Sequence, residues 1–151
     1  RVVHITGEND NDSFESHHHN LVEKTFSDEI SALLQHADLA ISRAGAGSLS
    51  ELAVSSTPAI LIPYPYATDG HQEVNALCAA EFGGAVIVHQ HLSAHDLLKR
   101  TVWRLLASKL NPEDKVEDRL EEMRLGMKLF AVSDADKKLA NLVQKFKAVN
   151  L

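Results

Sequence analysis

The chain has 151 residues, of which 44% are apolar and 24% charged, with a formal charge of −6 and one cysteine. That length suits one domain with a substantial core, and the composition is that of an ordinary globular protein. The acidic balance gives no global pull toward nucleic acid, a single thiol excludes an internal disulfide, and no apolar run reaches the ~18 residues of a bilayer span.

The opening RVVHITGEND has no signal-peptide architecture and no initiator Met, and it starts inside a strand pattern. The expectation is therefore a piece of something longer. VVHIT (2–6) reads as a strand ending at Gly7, and NDNDSFESHHHN (9–20) as a polar loop. Adjacent histidines such as His17, His18 and His19 do not converge on a metal unless the backbone bends, so a solvated loop is the favoured reading. ENDND (8–12) reads in the same way, as solvated acids and amides. VEKTF (22–26) is a short strand, and SDEISALLQHA (27–37) a helix capped by Ser27 or Asp28.

DLAIS (38–42), AILIP (59–63) and AVIVH (85–89) are continuous apolar runs, as expected of strands covered on both faces. Helical patterns occupy 48–55, 71–82 and 93–108, and two charged, amphipathic helices follow at roughly 112–131 and 133–148. That last pair is expected to pack across the sheet edge, and Cys78, in VNALCAAEF, to be a buried structural thiol. Strand alternating with helix predicts a one-domain α/β fold, a Rossmann-like parallel sheet with helices on both faces.

Ligands of such sheets bind beyond the carboxyl ends of the strands. The loops 43–47 and 64–70, and less clearly 26–28, leave those ends. In ISRAGAGSLSEL (41–52), Gly45 and Gly47 permit close approach to the backbone. A helix beginning near Gly47 or Ser48 offers its unpaired N–H groups to an anion. Glu51, one turn on, is placed to accept two hydroxyls of a ribose. The competing reading is a capping box, with Ser48 bonding the N–H near Glu51 while Glu51 reaches back. From this stretch alone both stay open.

PYPYATDGHQEVNA (63–76) is the second loop. Asp69, His71, Gln72 and Asn75 gather neutral and acidic polar groups around one helix start, and Gln72 and Asn75 share a face. Such groups suit sugar hydroxyls. The alternative is a helix capped by Asp69 with a surface His and Gln. No nucleophile-and-base pair, paired-carboxylate spacing or Asp-x-Asp metal motif stands out. Taken together, a phosphate corner, a ribose-binding acid and a second polar helix start describe a nucleotide-sugar pocket.

At these residues the sequence resembles the MurG family of bacterial N-acetylglucosaminyltransferases. ADLAISRAGAGSLSELAVSSTPAILIPYPYATDGHQEVNA is similar to that family's run of R-[SA]-G-A, a hydroxyl residue, S-E, P-x-[IL]-x-[IV]-P and [HQ]-Q-x-x-N-A. The resemblance is close over about residues 22 to 90, and VVHITG is similar to the family's H-Q-T-G strand, with Ile5 in place of Gln. It implies the C-terminal, donor-binding half of a GT-B fold.

By that resemblance Glu51 binds the uridine ribose, and the backbone of Ala46, Gly47 and Ser48 holds the donor diphosphate. His71 and Gln72 meet the N-acetylglucosamine hydroxyls, with His71 where some members have Gln; Asn75 is counted with the donor-binding residues, and Arg43 supports the pocket. Phe26 and Ser27 align with the segment that packs on uracil, with Ser27 in place of a commonly apolar residue. No catalytic residue falls in this chain, and neither a metal nor another cofactor is implied.

The implied reaction is inverting transfer from UDP-N-acetylglucosamine to a lipid-linked muramoyl acceptor in peptidoglycan synthesis. It implies a cytoplasmic enzyme, peripheral at the inner face of the plasma membrane, with no nucleic-acid partner. The family's glycine-rich first loop, with its strand and helix, and its acceptor-binding N-terminal domain have no counterpart in 1–151. The chain alone is therefore expected to be inactive. Alternatives are a donor subunit of the dolichol-linked N-acetylglucosaminyltransferase, which favours SHAG over SRAG, a diacylglycerol glycosyltransferase, or a non-catalytic nucleotide-binding domain.

Overall fold

A computed structural model of the chain describes residues 1–8, 19–90, 94–110 and 118–149. The chain divides into two compact units, Arg1–Leu33 and Leu34–Leu151.

In the first unit, β1 (Val2–Ile5) lies parallel to β2 (Leu21–Lys24), Val2 opposite Leu21. The two strands form a two-stranded sheet of their own instead of joining one continuous sheet. Ser27 is buried, and its hydroxyl accepts from the Glu29 N–H at 3.3 Å. Helix α1 (Ile30–His36) begins later than the expected cap, because the Leu33 N–H bonds the Glu29 carbonyl. Ser27 therefore closes a turn ahead of the helix and is not its N-cap. Phe26 is exposed. Glu8 and His19 are described, while the rest of the ENDND and three-histidine stretches lie outside the described residues.

The second unit is built on three parallel strands, β3 (Ala40–Ser42), β4 (Ala59–Leu61) and β5 (Ala85–Ile87), in the order β3-β4-β5. Each strand is shorter than its apolar run, because the run continues into loops that remain partly covered. Central β4 is buried along its whole length. Its Ala59 and Leu61 face a core of Leu49, Leu52, Ala76, Ala79 and Met127, while Ile60 faces Val88, Leu105, Leu120 and Met123. This alternation is the strand period of two with both faces covered. Edge strand β3 departs from the expectation, with Ile41 exposed.

Helices α2 (Ala46–Ser55) and α3 (His71–Glu81) supply the first layer, and α4 (Ala94–Leu110) the second. Helix α5 (Arg119–Phe130) joins the two layers, with Leu120 and Met123 in one and Met127 in the other. Its passage is close. A Cβ on Gly126 would meet the Phe82 carbonyl and lie 2.5 Å from the Gly84 nitrogen, so only glycine fits. Helix α6 (Ala135–Val149) does not follow it: Leu139, Leu142 and Val143 are exposed, against the expectation that both C-terminal helices pack. The first residues expected of the α5 pattern, through 117, lie outside the described residues. Cys78 is also a correction, since α3 turns it outward and it is exposed. Among the described residues no helix is long and apolar enough to cross a membrane.

Candidate functional site

Strands β3 and β4 are parallel neighbours, so the loops leaving their carboxyl ends, 43–45 and 62–70, open on one rim. Ala44 is fully buried and anchors the first of them. Gly45, in an extended conformation, is the N-cap of α2, and no side chain caps the helix. The first helical bond runs from the Leu49 N–H to the Gly45 carbonyl. The N–H groups of Ala46, Gly47 and Ser48 precede it and have no intrahelical acceptor. A Cβ built on Gly47 would meet nothing within 4 Å, so the corner is open to a ligand.

This geometry removes the capping-box reading. The helix starts at Ala46, which makes Ser48 its third residue and Glu51 its sixth. Neither position can cap it. Glu51 is exposed, and its carboxylate makes no hydrogen bond or ion pair among the described residues. Near it, Ser50 Oγ donates back to the Ala46 carbonyl at 2.9 Å, which leaves the helix start uncovered.

The second loop is braced against the first. Asn75 Nδ2 donates to the Ala44 carbonyl at 3.0 Å, tying α3 to the corner. Arg43 Nη1 donates to the carbonyls of Ile62 (3.1 Å) and Pro63 (3.4 Å), and its guanidinium lies 5.5 Å from the Tyr64 ring centroid. Gln72 Oε1 accepts from the Tyr64 N–H at 2.9 Å, which directs the Gln72 amide nitrogen away from that contact.

A 3-10 turn (Thr68–Gly70) leads into α3, whose N-cap is Gly70 at φ 63°. Asp69, itself at φ 53°, does not cap the helix, contrary to the alternative drawn from the sequence. A left-handed pair places the helix start sharply after the loop, and glycine tolerates this without a Cβ penalty. His71 is exposed at the first position of α3. Glu73, also in that first turn, meets His89 Nε2 at 2.9 Å, across from the end of β5.

Of the sequence-predicted residues, Ala46, Gly47, Ser48, His71 and Gln72 thus sit in the first turns of α2 and α3, Glu51 and Asn75 follow in their second turns, and Arg43 braces the loop between the helices. Phe26 and Ser27 belong to the first unit. Sequence reasoning did not single out Tyr64 and Tyr66, whose rings meet edge-on at 5.8 Å. The alternation of tyrosine with proline in PYPY was the available signal. Among the described residues no three His, Cys, Asp or Glu side chains are placed to hold a metal ion.

The architecture is a parallel α/β arrangement with the uncapped start of α2 and the head of α3 beside one strand-end rim. The chain belongs to the glycosyltransferase family 28 C-terminal domain family, which it matches over residues 1–139. It is 60% identical over 144 residues to the UDP-N-acetylglucosamine–N-acetylmuramyl-(pentapeptide) pyrophosphoryl-undecaprenol N-acetylglucosamine transferase of Synechococcus sp. (strain CC9605), covering 95% of this chain and 40% of that protein. The transferase of the same name from Prochlorococcus marinus (strain MIT 9303) is 54% identical, with the same coverage. The crystal structure of Acinetobacter baumannii MurG superposes with a TM-score of 0.71 at 26% identity, over 95% of this chain and 40% of that one. The chain thus spans about 40% of the length of the relatives it matches, and its fold is that of the corresponding part of MurG.

Proposed function

We propose that the chain is the donor-binding domain of an inverting N-acetylglucosaminyltransferase. Its donor is UDP-N-acetylglucosamine, and its acceptor is an undecaprenyl-diphospho-muramoylpentapeptide held by a further domain. The supporting observation is the pairing of an uncapped α2 start with an unpartnered Glu51 carboxylate in a chain of this family. Three free N–H groups and a helix dipole suit a diphosphate, and a carboxylate without a protein partner suits the two hydroxyls of a ribose.

In this reading the acceptor oxygen attacks the anomeric carbon of the donor sugar as the bond to the diphosphate oxygen breaks, inverting that carbon. Negative charge grows on the departing UDP. The N–H groups of Ala46, Gly47 and Ser48 stabilise it without reorganising, which is where preorganised dipoles contribute most. Asn75 holds the corner at its buried carbonyl, and Arg43 holds the neighbouring loop. His71 and Gln72 contact sugar hydroxyls from the head of α3. Alignment of the acceptor alcohol supplies much of the rate in such reactions, so the donor domain alone binds without turning over. The whole enzyme works peripherally at the cytoplasmic face of the membrane that carries its acceptor.

Calorimetric titration of the chain with UDP, UDP-N-acetylglucosamine and UDP-glucose tests the reading. Binding of UDP with preference for the N-acetylglucosamine donor is expected. Binding of none of the three would overturn it, and equal binding of both sugars would remove the assignment of the donor.

A further inference from the structure

Tyr66 is 83% exposed, yet its surroundings hold it in place. The Ala67 N–H bonds the Tyr64 carbonyl at 3.1 Å, so Pro65 and Tyr66 are the central residues of a turn. Proline at the first of these positions presets the backbone. The base of the turn is fixed by the Tyr64 N–H to Gln72 bond, and the Tyr64 ring by the Arg43 guanidinium beside it. The Tyr64 ring then meets the Tyr66 ring edge-on, at 75° and 5.8 Å. Arg43 is itself anchored on two carbonyls of the same loop. A chain of contacts from β3 to α3 thus ends on a tyrosine that the protein leaves open to solvent.

We infer that Tyr66, braced by Tyr64 and Arg43, is a platform against which the pyranose ring of the donor stacks. The inference rests on the donor-domain reading and adds a sugar-recognising residue to it. A pyranose has a rim of hydroxyls and a C–H face that is apolar. The hydroxyls call for amides such as Gln72, and the apolar face calls for an aromatic ring. The order of the loops places the two together. A diphosphate at the head of α2 puts the sugar one bond further along, and the loop of the neighbouring strand β4 carries the tyrosines, joined to Gln72 at its base. Tyrosine supplies such a surface at low ordering cost, having two side-chain torsions. Here the bracing lowers that cost further.

The test is titration of the wild-type chain, Tyr66→Ala and Tyr66→Phe with UDP and with UDP-N-acetylglucosamine. Stacking predicts that all three bind UDP equally. Tyr66→Ala should bind the sugar nucleotide about two- to tenfold more weakly, and Tyr66→Phe should match the wild type. An unchanged sugar-nucleotide affinity in Tyr66→Ala would overturn the inference. So would an equal loss for UDP, which would mean the side chain only shapes the loop, or a loss in Tyr66→Phe as large as in Tyr66→Ala. UDP binding that weakens at least tenfold in Glu51→Ala preserves the donor-domain reading whichever way Tyr66 falls. Wild-type protein that binds neither nucleotide removes both.

Discussion

Glu51→Ala separates ligand binding from folding, because the native side chain does little for the fold. Glu51 is exposed on α2, beyond the reach of a capping position, and its carboxylate has no partner among the described residues. Its backbone carbonyl accepts from Ser55 Oγ at 2.7 Å, a bond that alanine keeps. Alanine is also the better helix former, by a few tenths of a kcal/mol. Stability should therefore change by no more than about 0.5 kcal/mol in either direction.

The loss in binding should be much larger. Hydrogen bonds to a charged group contribute about 1.5–3 kcal/mol, and each 1.4 kcal/mol is about tenfold in affinity. Losing even one of the two ribose contacts should thus weaken UDP binding by about 10- to 150-fold, and losing both by more. Thermal unfolding and calorimetric titration on the same preparation measure both quantities. UDP affinity within about twofold of wild type would refute the assignment of Glu51 to the ribose. A stability loss of the size of a lost cap, about 0.5–2 kcal/mol, would show that the carboxylate serves the helix after all.

Asn75→Ala should destabilise the unit by about 1–3 kcal/mol, because the buried Ala44 carbonyl loses its donor, and should also weaken UDP binding as the corner relaxes. Denaturant titration reads the first effect, calorimetry the second, and Asn75→Asp should be worse on both counts by setting two acceptors face to face. Gln72→Ala should leave global stability nearly unchanged while the Tyr64 amide, deprived of its acceptor, exchanges faster with solvent in a hydrogen-exchange measurement. Gly126→Ala should cost about 1–3 kcal/mol or more, read as a fall in urea midpoint, since the new methyl meets the backbone of residues 82–84, which cannot move aside as a side-chain tip could.

The parallel three-stranded sheet was legible because its strands are short apolar runs bounded by helical patterns, a signal that local sequence carries by itself. What local sequence does not carry is how far each run stays paired. Ile62 and Pro63 read like β4, but they lie beyond its last residue, Leu61, and their carbonyls serve Arg43 instead. The division at Leu33–Leu34 and the exposure of α6 were not legible either, since amphipathic spacing states that a face is apolar and not what covers it. Cys78 was misread for a similar reason: apolar neighbours in sequence are not neighbours in space when a helix carries them to opposite faces.

That the two loops share a rim was legible from the parallel order of their strands, whereas the geometry of the side chains on it was not. The spacing of Gln72 and Asn75 places them on one face of α3, as found, but says nothing of where each amide points. Each uses one polar atom on a main-chain group of a neighbouring loop, Gln72 its oxygen at Tyr64 and Asn75 its nitrogen at Ala44. What remains for a ligand is therefore complementary, an N–H donor on Gln72 and an oxygen acceptor on Asn75. Sugar hydroxyls both donate and accept, and a matched donor and acceptor one helical turn apart read them better than two free amides would, because neither side chain can flip to exchange its roles. The same two bonds that stiffen the rim thus set its hydrogen-bonding polarity. On the proposed function, selectivity among nucleotide sugars should accordingly be more sensitive to the loop carbonyls and amides at 44 and 64 than to the charge of the domain.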